Sequence, residues 1–145
     1  MAESTTQKSI SEQFIETLLL IHINFFRKKQ LPLPLNQYGV LMAAYTEESL
    51  TASDACDILK ISKQQMSSLV ERLVQSGYIR KESDPEDRRR SLLRLTNKAR
   101  KLIDRQNSDV QQDFDASIGN LTPSEQQLLA ESIGNFNRLL EKMFA

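Results

Sequence analysis

Tryptophan is absent from the 145 residues, glycine and proline number four each, and there is one cysteine and one histidine. Each scarcity removes a class of function. Four scattered glycines leave no glycine-rich loop to cradle a nucleotide phosphate. A single cysteine, Cys56, cannot close an internal disulfide, which fits a reducing compartment. His22 and Cys56, each alone of its kind, supply neither a zinc ligand set nor a nucleophile–base pair. No metal, no cofactor and no enzymatic activity are therefore expected. No apolar run approaches the roughly 20 residues that cross a bilayer. Residues 1–7 lack the basic-then-apolar order of a signal peptide. A cytoplasmic protein with no membrane partner is expected, with residues 1–8 frayed.

What is present is ordinary in bulk and uneven in placement. Hydrophobic residues make up 39% and charged residues 26%, the balance of a globular domain. The formal net charge is zero, but between Lys60 and Arg105 thirteen basic residues face six acidic ones, a local +7. The rest of the chain carries −7. A basic centre between acidic ends is the electrostatic footprint of nucleic-acid binding confined to one region.

Within that centre, residues 62–96 form the most informative stretch. Ser62 can cap a helix in which Met66, Leu69, Val70, Leu73 and Val74 make an apolar face. The opposite face carries Lys63, Gln64, Gln65, Ser67, Ser68, Arg72 and Gln75. Gly77 ends the helix, and 78–83 and 91–95 are strand candidates. Between them Asp84-Pro85-Glu86-Asp87-Arg88-Arg89-Arg90 makes an arginine-tipped turn. Amide and hydroxyl side chains suit base edges in the major groove, and arginines suit the narrow minor groove. A solvated amphipathic helix with a charged loop would explain either half alone; the two in this order favour DNA.

The same residues resemble the MarR family of winged helix-turn-helix regulators. Asp87-x-Arg89, five residues, then Leu95-Thr96 is similar to that family's wing signature, and Leu73 with Gly77-Tyr78-Ile79 resembles its recognition helix and first wing strand. The resemblance implies a mainly α fold of about six helices with a two- to three-stranded wing sheet. It also implies a homodimer and a small effector bound between the dimer helices and the DNA-binding lobe. Ser67-Ser68 stands where many members have a basic or bulky residue, so base preference does not carry over.

Around this centre the chain reads as helices. Ile10, Phe14, Leu18, Ile21 and Phe25, flanked by Ile15, Leu19 and Ile23, form a stripe too wide for a helix with one side in water. Leu31-Pro32-Leu33-Pro34 breaks it. A helix over 35–45, a loop, a very short strand at Leu50 and a helix over 52–59 lead to Ser62, a helix-turn-helix order. Beyond Thr96 a long helix runs to Gly119-Asn120, and Thr122-Pro123-Ser124-Glu125 is a capping box with proline at the first position. The last helix carries Leu128, Leu129, Ile133, Phe136, Leu139, Leu140, Met143 and Phe144, more apolar surface than a thin monomer covers.

The expected organisation is one chain, 1–145, with a DNA-binding lobe over 35–96 and dimerisation helices over 9–30 and 97–145. The expected function is a sequence-specific double-stranded DNA-binding regulator, a repressor on a pseudo-palindromic operator. Base contacts are assigned to Gln64, Gln65, Ser67, Ser68 and Arg72, phosphate contacts to Ser62, Lys63, Arg80 and Lys98, and the wing to Asp87, Arg88, Arg89 and Arg90. By the resemblance, Phe14, Leu18, His22, Tyr38 and Met42 would line an effector cleft, though all five also read as core. Two alternatives stand beside this: a winged-helix module that binds protein, and a redox sensor acting through Cys56. Asp54 and Asp57 beside that thiol argue against its reactivity.

Overall fold

A computed structural model describes residues 7–145, so most of the tail expected to fray lies outside the described residues. The elements are α1 (Ile10–Ile21), a π-helical turn (His22–Phe26), α2 (Leu35–Thr46), α3 (Ala52–Leu59), α4 (Lys63–Gln75), β1 (Ile79–Ser83), β2 (Ser91–Leu95), α5 (Asn97–Ile118) and α6 (Pro123–Phe144). They fall into two compact units, Met1–Ser108 and Asp109–Ala145.

The core of the first unit gathers Leu41 from α2, Leu50 from the loop, Met66 and Leu73 from α4, Ile79 and Leu93 from the strands and Ile103 from α5, all at most 2% exposed. The first half of α5 thus serves this core through Ala99 and Ile103. Gly39 lets α2 and α3 meet closely: a Cβ there would lie 3.0 Å from Leu59 Cδ2. The strands pair antiparallel, Ile79 with Leu95 through Ser83 with Ser91. The short third strand expected at Leu50 is a bridge at Thr51, which pairs with Leu92, while Leu93 N–H donates to Leu50 O at 2.8 Å.

Two local details differ from the sequence reading. Val74, expected on the buried face of α4, is 39% exposed. Met66, Val70 and Leu73 face the core, and Val74, one residue (100°) beyond Leu73, rotates to its edge. The turn before α4 uses Lys60 in the left-handed region, φ 55°, where no glycine marked it.

No residue of α1 is buried. Leu18, Leu19 and Leu20 are 46%, 55% and 61% exposed, so the wide apolar stripe is open in a single chain. In the second unit, Thr122 and Glu125 complete the expected capping box, and Gln126 Nε2 donates to Leu121 O at 3.1 Å, closing the turn into α6. No residue of α6 is buried either; Leu128 and Leu139 are 62% and 56% exposed.

Candidate nucleic-acid interface

Helix α4 is set by its two ends. At the start, Ser62 Oγ accepts from Gln65 N–H at 3.2 Å and Gln65 Oε1 accepts from Ser62 N–H at 3.2 Å, a reciprocal capping box. The cap expected at Ser62 is present, and Gln65, assigned to base contacts, is its reciprocal partner. At the far end, Tyr78 N–H donates to Leu73 O at 2.9 Å across Gly77, whose φ is +76°. Lys98 completes this end. Its Nζ donates to Ser76 O at 2.7 Å and lies 4.3 Å from the centre of the Tyr78 ring. A cation on the last carbonyls of a helix is favourable to the helix dipole.

The Leu95-Thr96 pair has a structural role. Leu95 is buried, while Thr96 Oγ1 donates to Gly77 O at 2.6 Å and accepts from Ala99 N–H at 3.3 Å. Thr96 N–H donates to Tyr78 O at 3.1 Å. One residue therefore ties the end of α4, the entry to β1 and the start of α5 together.

With both ends fixed, α4 buries Met66, Val70 and Leu73 and leaves Lys63, Gln64, Gln65, Ser67, Ser68 and Arg72 exposed. Beside it the wing loop folds on itself. Asp84 N–H donates to Arg90 O at 3.1 Å and Arg90 N–H to Asp87 O at 3.0 Å. Asp84 Oδ1 accepts from Glu86 N–H and Asp87 Oδ1 from Arg89 N–H, both at 3.0 Å. The three arginines are not equivalent. Arg89 has a side chain 94% exposed, with its Nε 4.0 Å from Asp87 Oδ1. Arg90 is 56% exposed and sits 3.4 Å from Asp84 Oδ2 and 3.9 Å from Asp87 Oδ2. Arg88 is exposed.

Two further cations of the basic region are engaged within the chain. Arg94 Nε donates to Glu82 at 3.2 Å and its Nη1 to Glu48 O, anchoring β2 to the loop before α3. Arg80 lies 3.9 Å from Glu82. Counting charges along the sequence gave no sign that Arg90, Arg94 and Lys98 hold structure.

A cavity of about 390 Å³ opens between α3, α4 and the wing, with Lys63, Ser67, Lys81 and Arg89 on its walls and Cys56 also lining it. Cys56 is 8% exposed and belongs to the core. At the start of α3, the Thr51 backbone amide and then its hydroxyl hold the Asp54 carboxyl below its ordinary pKa, with a smaller pull from Arg90. Of the residues assigned to an effector cleft, Phe14, Leu18 and His22 are exposed and Tyr38 and Met42 half-buried. Burial pushes the Tyr38 hydroxyl pKa up. No group of three or more potential metal-ligating side chains occurs among the described residues. No helix there is long and apolar enough to cross a membrane.

Residues 31–90 match the family model described as MarR family. The uncharacterized HTH-type transcriptional regulator YfiV of Bacillus subtilis is 28% identical over 112 residues, 77% of this chain and 70% of that protein. Among solved structures, transcriptional regulator Tm0710 from Thermotoga maritima has a TM-score of 0.74 at 18% identity, over 92% of this chain and 95% of that one. Bordetella bronchiseptica BpsR, whose DNA binding is described as regulated by 6-hydroxynicotinic acid, has a TM-score of 0.59 at 19% identity, over 94% and 98% of the chains. At these identities the solved structures establish the shared fold.

Proposed function

We propose, from the match of residues 31–90 to the MarR family and the shared fold, that the chain is a winged helix-turn-helix transcriptional regulator of that family, a homodimeric repressor that reads a pseudo-palindromic operator. The observation that carries this reading is the exposed polar face of α4, held at both ends beside a closed arginine-tipped loop. Gln64, Gln65, Ser67, Ser68 and Arg72 read base edges in the major groove. Ser62, Lys63, Arg80 and Lys98 contact phosphate and set register. The wing, Asp87 to Arg90, approaches the adjoining minor groove.

The open apolar faces of each unit support the dimer. Leu18 to Leu20 on α1, and separately Leu128 and Leu139 on α6, are too exposed for a chain that works alone. A second copy covers them, so the dimerisation segments are 9–30 and 97–145, apart from the first turns of α5, whose Ala99 and Ile103 pack in the core of the DNA-binding lobe over 35–96. A two-fold then places two recognition helices about one helical turn apart. A small effector, of the kind named for BpsR, shifts the dimer toward a spacing that does not fit DNA. Phe14, Leu18, His22, Tyr38 and Met42 line its cleft. The repressor acts in the cytoplasm.

Selection of duplexes from a random pool by the purified protein tests this. The expected outcome is enrichment of an inverted repeat with half-sites about 10 base pairs apart. A pool that stays random after several rounds would overturn the DNA-reading assignment and favour a protein-binding winged helix.

A further inference from the structure

The guanidinium of Arg90 points away from the role of its neighbours. It lies 3.4 Å from Asp84 Oδ2 and 3.9 Å from Asp87 Oδ2. The Asp84 side chain is only 10% exposed, and its two oxygens meet Arg90 and the Glu86 N–H. The backbone of Arg90 closes the same loop, accepting from Asp84 N–H and donating to Asp87 O. Arg90 also lines one surface cavity with Asp54, Asp84 and Thr51, which places it beside the first turn of α3 as well as in the wing. Thr51 in turn bridges Leu92 of β2.

We propose that Arg90 is a positioning residue rather than a DNA contact: its ion pairs with Asp84 and Asp87 brace the wing loop in its closed shape, and leave Arg88 and Arg89 to enter DNA. This deepens the DNA-binding reading and rests on it for its consequence, though not for the strut itself. Arg90 acts through Arg89. Loosening the strut therefore weakens binding, and removing an acid that holds it does so too, although losing a negative charge near DNA would otherwise strengthen binding.

Arg90→Gln, Asp84→Asn, Arg89→Gln and the Arg89→Gln/Arg90→Gln double variant decide the matter on a duplex taken from the random-pool selection. Asn at position 84 keeps the oxygen that accepts from Glu86 N–H, so the turn survives while the ion pair goes. Arg90→Gln and Asp84→Asn should each weaken binding about tenfold, the order of one lost charge-assisted contact. The double variant should bind as Arg89→Gln does, because both changes remove one contact. Tighter binding by Asp84→Asn, or fully additive losses in the double variant, would overturn the proposal.

Amide exchange on the free protein supplies a readout that needs no DNA. The Asp84 and Arg90 amides should exchange about tenfold faster in Arg90→Gln and Asp84→Asn but not in Arg89→Gln, with α4 protection unchanged as the check on folding. Unchanged exchange at Asp84 and Arg90 would refute the strut. If no duplex is enriched at all, the repressor assignment fails and the exchange data alone still decide whether Arg90 braces the wing.

Discussion

Replacing Thr96 with valine should cost more than its single hydroxyl suggests. The hydroxyl caps α5 by accepting from Ala99 N–H and clamps the end of α4 by donating to Gly77 O. Losing an N-cap costs about 1 kcal/mol. Losing the bond to Gly77 costs about 0.5–1 kcal/mol, at the low end because Gly77 is exposed and water can replace the donor. Valine has the shape of threonine, so no cavity adds to the sum. The total is about 1.5–2 kcal/mol, a fall in Tm of about 3–8 °C for a chain of this size. Urea unfolding at fixed protein concentration measures it, since the stability of the proposed dimer would depend on concentration. Thr96→Ser keeps the hydroxyl and should stay within about 0.5 kcal/mol of wild type. A valine variant as stable as wild type, or a serine variant as weak as the valine one, would refute the clamp.

Lys98→Met removes a cation that holds Ser76 O and that the proposed function sets on phosphate; stability should fall by about 1 kcal/mol and the salt slope of DNA binding by about 0.9. A drop in stability with an unchanged slope would confine Lys98 to the helix end. Asp54 titrates with folding. Its folded pKa lies below the unfolded value of about 3.9, so its contribution is present above that pH and lost as pH falls through the lower folded value. Asp54→Ala should therefore be less stable than wild type at neutral pH and show a shallower acid limb below about pH 4; parallel acid limbs would contradict this. Leu139→Glu should convert dimer to monomer in sedimentation, and a dimer that persists would remove α6 from the interface.

Much of this architecture was legible in the sequence. Periodicity and caps announced the helices, because Ser62, Thr122 and Pro123 act through local backbone groups. The wing was legible because Pro85 excludes a helix and the strands flank a charged turn. Other features depended on partners distant in sequence. Arg94 meets Glu48 across 46 positions and Lys98 meets Ser76 across 22, so charge counting credited both to DNA. The left-handed Lys60 had no signal, since only glycine or asparagine advertises that conformation. The exposed position of Gln65 is visible in the sequence and suits a base reader, whereas its bond to Ser62 is a matter of geometry.

Fluorescence anisotropy of the wild-type protein on the selected duplex and on a scrambled one, across a salt series, tests the central claim most directly. The account predicts a steep loss of affinity with salt and a preference of about a thousandfold or more for the selected site. Equal, weak binding to both duplexes at every salt concentration would contradict it.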